Sequence, residues 1–466
     1  MLDKELQMEI IKKTLSNGGE YADIFIERRR HAALVLDDGK LEKVMTGDEA
    51  GAGIRLIYRG KTAYAYSNDL SAGALIGAAH DVSRAARSAP ADVTTAGMTL
   101  DLRRRSSRFT AGIKVPPGDV PFEKKIAVVR HADSVARGFD DCIKQATAIY
   151  RDSVQNVQIA TSEGHMTEEE RVYTAAIIQV VAVRDGVIQT GYEAAGGLLG
   201  FELFDENDLD ALCIRAAERA VRMLTARKAP GGRMPVVISS HAGGTMIHEA
   251  IGHGLEADLA RQGLSVFSGK IGKRVASDLI TVVDDSTIHG KRGSFMFDDE
   301  GTPSQRTVLV ENGILKSYMY DRLSSLKDGA VLTGNGRRES YRHRPIPRMT
   351  NTFIIEGNSS PAGITGSVER GLFVVKMGGG QVNTVTGDFV FDVQEGYLIE
   401  AGEIGELVRG ATLTGNGPRV LESIDMVGTD IGFSIGTCGK DAQGVPVTDG
   451  MPTVRIPEIV VGGACN

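Results

Sequence analysis

The sequence predicts an α+β fold with a small N-terminal lobe, a middle lobe and a β-rich C-terminal domain. Three observations lead to this prediction. Helical patterns are few, short strand patterns recur between turn residues, and the two kinds of pattern do not alternate as βαβ units. The second half of the chain is dense in glycine and in short strands, which favours a strongly curved or barrel-like sheet there.

Composition places the chain among ordinary globular proteins. Its 466 residues are enough for two or three domains, and 42% of them are apolar and 24% charged. The net charge of −7 argues against a general nucleic-acid binder, because such proteins usually carry a basic balance. The one basic cluster, formed by Arg103, Arg104, Arg105 and Arg108, is interpreted as a solvated run in a linker.

Three further patterns bear on where the protein works. The first residues form an amphipathic helical pattern without the apolar core of a secretory signal. No apolar run approaches the roughly 20 residues that span a bilayer. Four scattered cysteines without a C-x-x-C pair are typical of reduced thiols in a cytosolic chain. The sequence therefore predicts a cytoplasmic protein that binds neither nucleic acid nor a membrane.

The N-terminal α+β lobe is predicted over residues 1–87. Apolar residues at helical spacing cover residues 3–15 and 71–86, and the first of these patterns stops at two glycines. The strand patterns between them are residues 22–27, 33–36, 41–44, 53–58 and 62–66. Turns centred on Gly39 and Gly60 join four of these strands as hairpins, which indicates a small antiparallel sheet.

A linker rich in proline, alanine, threonine and arginine is predicted over residues 88–120, and a middle α+β lobe over residues 121–229. This lobe begins with a helical pattern at residues 122–137 and ends with another at 208–227. Its strand patterns are residues 143–151, 154–161, 171–184 and 187–200. Pro230 and the two glycines after it mark the boundary to the last domain.

The C-terminal domain is predicted over residues 230–466 and carries the candidate site. A buried-type strand at residues 234–239 runs into Gly243 and Gly244 and then into a helical segment. Further strand patterns follow at residues 279–284, 307–311, 314–320, 351–356, 372–376, 389–400 and 454–461.

The candidate site is the run His248-Glu249-Ala250-Ile251-Gly252-His253. A hydrolytic zinc site needs neutral imidazoles to hold the ion and a carboxylate beside the attacking water, and this run supplies both. The histidines are five residues apart rather than four, which turns them about 140° from each other on a regular α-helix. Either a π-type turn brings them together, or the helix ends near Gly252 and His253 folds back.

A catalytic zinc site usually has three protein ligands, so a third is required. The candidates are Cys438, Cys465, Glu256, Asp258, His241 and a distant histidine. The carboxylates of Glu256 and Asp258 could equally well accept the N–H of a metal-bound histidine and so fix the orientation of its ring. Cys438 lies between glycines in a segment interpreted as a turn, with Lys440 nearby to favour the thiolate. Spacing alone leaves the choice open.

Two other motifs are interpreted as structural. Residues 432–436 match the G-x-S-x-G pattern of a serine hydrolase, but that arrangement needs a histidine after the serine, and the last histidine is His343. The glycines at residues 378–380 and the Gly-Asn-Gly turns lack the order of a phosphate-binding P-loop. Neither pattern predicts a second catalytic site.

Six motifs in order carry a family resemblance: HEAIGHGLEAD, DDEGTPSQRT, TGNGRRES, PRMTN, GGGQV and GTCGKDAQGVPV. They resemble the TldD branch of the TldD/PmbA family of metallopeptidases. The resemblance covers essentially the whole chain and is densest over residues 241–452. It departs at the tail, which carries the additional Cys465.

The resemblance implies a zinc ion (Zn²⁺) held by His248, His253 and Cys438, with Glu249 as the base. It also implies a cytosolic assembly, either a heterodimer with a TldE/PmbA-like subunit that lacks the motif or a homodimer. The implied substrates are unfolded or flexible polypeptides and peptide precursors. The chain keeps every implied metal residue, which makes it similar to the active subunit.

The predicted function is therefore a zinc peptidase in which metal-activated water attacks the peptide bond and Glu249 takes its proton. An extended substrate is expected to pair with an exposed strand edge in the β-rich half. Tyr341, His343 and Arg348 are polar residues without an assigned role. Two other classes stay open: a zinc amidase or deacylase acting on a small molecule, and a non-catalytic protein-binding modulator with a structural metal.

Overall fold

The computed structural model describes residues 2–86, 100–107, 109 and 111–464. Cys465 lies outside the described residues, as do residues 88–99, 108 and 110 of the predicted linker. The α+β prediction is confirmed. The α-helices are Lys4–Thr14, Ala72–Arg84, Phe122–Arg137, Leu203–Glu206, Leu209–Thr225, Thr245–Ile247, Ala257–Arg261, Arg322–Asp328, Pro361–Gly366 and Gly417–Ser423. No helix in the described part of the chain combines the length and apolar character needed to cross a membrane.

The N-terminal and middle lobes share one sheet of seven strands. Its strands are Tyr21–Asp37, Lys40–Tyr58, Lys61–Ser67, Arg103–Arg104, Ile143–Thr161, His165–Arg184 and Val187–Gly197. The two lobes join because Tyr21–Asp37 pairs antiparallel with Lys40–Tyr58 on one side and with Ile143–Thr161 on the other. The sequence predicts two strands here, at residues 143–151 and 154–161. In the structure these residues form one continuous strand.

The two faces of this sheet have different neighbours. Alternation along the first strand places Ile24 and Ile26 in a core with the helices Lys4–Thr14 and Ala72–Arg84. Phe25, on the opposite face, packs in a cluster with Tyr341 of the C-terminal domain. Ion pairs also cross this second face, with Arg55 Nη1 2.6 Å from Glu300 Oε1 and Arg171 Nη1 2.6 Å from Asp299 Oδ1. The C-terminal domain is therefore fixed against the sheet by apolar and ionic contacts.

The C-terminal domain contains the predicted barrel as a closed ring of five strands. In order around the ring they are Gly232–Ile238, Val454–Gly462, Thr412–Asn416, Asp388–Glu400 and Arg370–Val382, which pairs again with the first. Val236 and Ile238 lie in the main core of the domain, whereas Val237 between them packs in a separate cluster. The shorter strands Arg227–Lys228, Glu403–Arg409 and Met426–Val427 extend this sheet.

A second sheet of the C-terminal domain has six strands. They are Val282–Asp285, Arg306–Glu311, Ile314–Leu315, Asn351–Ile354, Gly432–Lys440 and Gln443–Met451. Gly432–Lys440 is an edge strand and pairs antiparallel with Gln443–Met451. A two-stranded ribbon, Gly336–Arg337 with Ile346–Pro347, lies nearby in the chain. The predicted strand at residues 314–320 is wrong beyond Leu315, where the chain leaves the ladder.

Candidate metal centre

The chain leaves the barrel strand Gly232–Ile238 and enters a series of short helical turns that carries the two histidines. Gly244, at the entrance, is needed because a Cβ there would lie 2.4 Å from the Asp449 side chain. The helix Thr245–Ile247 then buries Met246 and Ile247 in the domain core. This packing fixes the start of the histidine segment.

The segment His248–Gly252 is a π-helix, which is the first of the two predicted geometries. The backbone N–H of His253 donates to the carbonyl of His248, a bond that spans five residues. This wider turn brings the two imidazole rings to 4.9 Å between centroids. The glycine within the turn leaves room for a neighbouring side chain, since a Cβ on Gly252 would lie 2.2 Å from Met349 Sδ. Its backbone φ of −55° is ordinary.

The structure brings Cys438 to this histidine pair. One donor atom from each of His248, His253 and Cys438 lies within 4.8 Å of the other two, and Cys438 Sγ is 3.6 Å from His253 Nε2. The interpretation of the Gly-Thr-Cys-Gly segment as a turn is wrong, because Cys438 lies within the edge strand Gly432–Lys440. Strand pairing holds it opposite Val445, where the thiol is buried at 1% exposure.

Each histidine ring is oriented by a hydrogen bond to a carboxylate. The Nδ1–H of His248 donates to Asp449 Oδ1 at 2.8 Å, and the Nδ1–H of His253 donates to Glu256 Oε2 at 3.0 Å. Both Nε2 atoms are thereby left as the ligand atoms, which is the usual arrangement around a bound zinc ion. The sequence singled out Glu256 but missed Asp449. A signal was present, because an aspartate ending the apolar strand pattern Val-Pro-Val-Thr-Asp is an acid in a buried position.

Lys440 acts on a carboxylate rather than on the thiol. Its Nζ lies 2.7 Å from Asp258 Oδ1 and 3.1 Å from Glu256 Oε2. Burial raises the pKa of Glu256, but the charges of Lys440 and His253 outweigh it and lower that pKa to about 2. The sequence predicts that Lys440 favours the thiolate of Cys438. In the structure Lys440 instead stabilises the carboxylate of Glu256, which orients His253. Asp258, a predicted alternative ligand, is engaged by Lys440 instead.

The remaining candidates lie outside the donor cluster. His241 is exposed in the wall of a cavity, and Tyr341 packs with Phe25 against the sheet. His343 Nδ1 is 3.1 Å from Ser340 Oγ. Arg348 is buried and donates to the carbonyl of Cys438, so that it holds the backbone of the edge strand.

Charge within the cluster favours a cation. Burial raises the pKa of Cys438, yet hydrogen bonds from His248 and His253 and their charges lower it to about 6. Burial lowers the pKa of His253, but Glu256 and Cys438 raise it to about 10. Asp449 and Cys438 likewise hold the pKa of His248 well above its usual range. A thiolate and two imidazoles, each backed by a carboxylate, form a donor set that fits zinc.

These pKa shifts predict how metal affinity depends on pH. Between pH 7 and 9 the His253 imidazole, with a pKa of about 10, carries a proton that the ion must displace, so the zinc association constant should rise at least about tenfold per pH unit. Below about pH 6 the Cys438 thiol is also protonated, and the slope should become steeper. Competition with a chelator of known affinity measures this slope. A constant affinity between pH 7 and 9 would show that the imidazoles are neutral in the metal-free protein.

Glu249 lies in the first turn of the π-helix, directly after His248. Its side chain is half-buried, and no hydrogen bond or ion pair to another described residue engages its carboxylate. A carboxylate without a partner, on the residue next to a metal-donor histidine, is available to accept a proton.

Two cavities lie between the seven-stranded sheet and the C-terminal domain, with volumes of about 800 Å³ and 550 Å³. The edge strand Gly432–Lys440 contributes to the walls of both cavities. Phe433 and Ser434 line the larger cavity, and Thr437 lines the smaller one. The three metal-donor residues line neither. Ser434 of the G-x-S-x-G pattern lies in a strand, where its Oγ accepts a hydrogen bond from the Gly244 N–H, so the nucleophile-elbow geometry is absent at this residue.

Comparison with known proteins shows the family of the chain. Family models described as PmbA/TldA metallopeptidase domain 1, central domain and C-terminal domain match residues 22–91, 115–224 and 231–463. The class of protein that these descriptions give is a metallopeptidase. The chain belongs to the PmbA/TldD family, as the motifs predicted.

Individual relatives cover nearly the whole chain. A "Metalloprotease TldD homolog" of Haemophilus influenzae is 38% identical over 95% of this chain and 93% of its own. A "Metalloprotease" of Methanothermobacter thermautotrophicus is 36% identical over 95% of this chain and 96% of its own. A "Zinc metalloprotease TldD homolog" of Saccharolobus solfataricus is 28% identical over 73% of this chain and 76% of its own.

A solved structure supports the fold alone. A proposed modulator of a DNA gyrase from Thermotoga maritima superposes with a TM-score of 0.80 at 21% identity, covering 98% of this chain and all of that one.

Proposed function

We propose that this protein is a zinc-dependent peptidase that hydrolyses unfolded or flexible polypeptides and peptide precursors. Its named relatives are metalloproteases, which supports a metallopeptidase, and one of them is named for zinc. The observation that carries the proposal is the donor cluster itself. His248, His253 and Cys438 converge, and a carboxylate orients each imidazole. Glu249, which follows His248 in the π-helix, has no partner among the described residues.

In the proposed mechanism His248, His253 and Cys438 hold the zinc ion, which supplies a Lewis acid at the scissile carbonyl when bound. Glu249 accepts a proton from the attacking water and passes it to the leaving amine nitrogen. Asp449 and Glu256 hold the two imidazoles in the tautomer that exposes Nε2. Burial of Cys438 limits access of bulk water to the thiolate.

The edge strand Gly432–Lys440 suggests how a substrate is held. It carries Cys438, and strand pairing among the described residues occupies only one of its sides. An extended peptide can add to such an edge through backbone hydrogen bonds, which select for an extended chain rather than for particular side chains. A folded protein cannot present its backbone in this way.

This binding mode predicts that the folded state of a substrate decides whether it is cut. A disulfide-containing test protein should be cleaved at many positions after reduction and alkylation. The same protein in its native form should be cleaved at a rate that is lower by at least about 10³-fold, because only its rare unfolded molecules are substrates. Mass spectrometry of the products measures both rates and positions. Equal rates on both forms, or cleavage at one residue type only, would contradict the proposal.

We also propose that the chain works in the cytoplasm and assembles with a TldE/PmbA-like subunit or with a second copy of itself. Light scattering of the purified protein, alone and after co-expression with such a subunit, distinguishes these states. Parallel assays on peptides and on small amides separate the peptidase from an amidase or deacylase.

A further inference from the structure

The smaller of the two cavities has an excess of positive charge. One wall is the open face of the seven-stranded sheet, and the other is the C-terminal domain. Seven arginines from both walls line it: Arg29, Arg151, Arg171, Arg292, Arg337, Arg338 and Arg342. Most lining acids already have partners: Asp152 with Lys125, Asp299 with Arg171, and Glu339 with the Gly444 N–H. The arginines therefore outnumber the acids that could neutralise them.

Arg292 has no carboxylate partner and an incomplete set of hydrogen bonds. No carboxylate of the described residues lies within 4.0 Å of its guanidinium, and its Nε is buried without a hydrogen-bond acceptor. One Nη lies 3.5 Å from Thr437 Oγ1, and the backbone N–H donates to Thr448 Oγ1 at 3.0 Å. Burial lowers the pKa of Arg292, as do the charges of Arg151 and Arg29. A buried donor without an acceptor is costly unless a ligand supplies one.

Arg29 and Arg151 approach from the opposite wall. Arg29 pairs in register with Gln155, and Arg151 with Ala33, so both side chains emerge on the cavity face of the sheet. Arg29 Nε donates to Ser153 Oγ at 3.0 Å. Among the described residues neither guanidinium has a carboxylate within ion-pair distance. Three like charges around one cavity repel each other, and an entering anion would relieve that repulsion.

The cavity adjoins the edge strand but on the face away from the metal donors. Cys438 and Asp449 share one face of the ribbon formed by Gly432–Lys440 and Gln443–Met451. The alternating residues Thr437 and Thr448, which contact Arg292, share the other face. In a peptide paired with the edge strand, neighbouring side chains would point alternately to the metal face and to Arg292.

We propose that this cavity is a substrate subsite for a carboxylate, supplied by an acidic side chain or by the C-terminus of the bound polypeptide, with Arg292 as its principal ligand. The inference rests on the proposed peptidase function and adds a preference at one position. Backbone pairing accepts varied sequences, and the subsite favours those with a carboxylate in the right register.

The test uses zinc-loaded enzyme and a set of uncharged, C-terminally amidated peptides in which one glutamate is moved along the chain. The uncharged peptide with a free C-terminus and inorganic phosphate as a competitor complete the set. Binding is measured by fluorescence anisotropy on the Glu249→Gln protein, and hydrolysis on the protein with Glu249 intact. The variants are Arg292→Ala and Arg292→Lys, and Arg227→Ala, which removes an exposed arginine of another sheet, is the matched control.

One glutamate position, or the free C-terminus, should bind about tenfold to a hundredfold more tightly than the uncharged amidated peptide. Arg292→Ala should remove this advantage, Arg292→Lys should restore part of it, and Arg227→Ala should leave it intact. Phosphate should compete with the charged peptide alone. The affinity ratio of charged to uncharged peptide is the readout because a general structural defect would weaken both peptides together.

Equal affinity for charged and uncharged peptides, or an equal loss of both in Arg292→Ala, would overturn the inference. Failure of the peptidase proposal gives a different result. In that case no peptide is hydrolysed by the protein with Glu249 intact, while Arg292-dependent binding of the carboxylate persists and supports the subsite.

Discussion

Replacing Glu249 with glutamine is expected to lower the rate of peptide hydrolysis by about 10²–10⁴-fold while the protein keeps its fold and its zinc. Glutamine has nearly the same shape but cannot accept the proton of the attacking water. Glu249 is not among the three donor residues and has no partner among the described residues, so its loss should leave the donor cluster unchanged. Steady-state kinetics on an unfolded substrate together with metal analysis measure both effects.

Glu422→Gln is the matched control, since it makes the same chemical change at an exposed position of the helix Gly417–Ser423. This variant should keep full activity. If hydrolysis by the Glu249→Gln protein equals that of the unmodified protein, or if neither cleaves peptides, the catalytic role of Glu249 is wrong. A zinc-containing, folded but inactive protein in both forms would instead favour the non-catalytic modulator.

Replacing Cys438 with alanine is expected to remove both zinc and activity. The thiolate is the one anionic donor of the cluster, and the pKa of about 6 keeps it ionised at neutral pH. Loss of a direct ligand should weaken zinc binding by more than the roughly 10–100-fold that supporting residues usually contribute. Zinc content after dialysis and affinity from chelator competition measure the loss.

Cys213→Ala provides the control for this experiment. Cys213 lies on the buried face of the helix Leu209–Thr225 and takes no part in the donor cluster. Its loss changes the number of thiols and leaves a small cavity, but zinc binding should be retained. Retention of zinc by Cys438→Ala would show that another residue completes the site and would reopen the choice of the third ligand.

Local features of the fold were predictable because their causes lie within a few residues. Apolar spacing located the helices Phe122–Arg137 and Leu209–Thr225 almost to the residue. Glycine turns located the hairpin between Tyr21–Asp37 and Lys40–Tyr58. Pairing between distant strands leaves no such local signal. The joining of two lobes through Ile143–Thr161 and the closure of the barrel therefore required the tertiary structure.

For the candidate site, the sequence by itself determined the types of donor, the glutamate beside them and the conflict between a five-residue spacing and a regular α-helix. The tertiary structure decided that a π-helix resolves the conflict and that Cys438, 185 residues beyond His253, completes the donor cluster. It also decided that Asp449, 201 residues beyond His248, orients that histidine. Spacing along the chain constrains groups only within one turn or strand, whereas groups so far apart meet through the pairing of strands and the packing of the core.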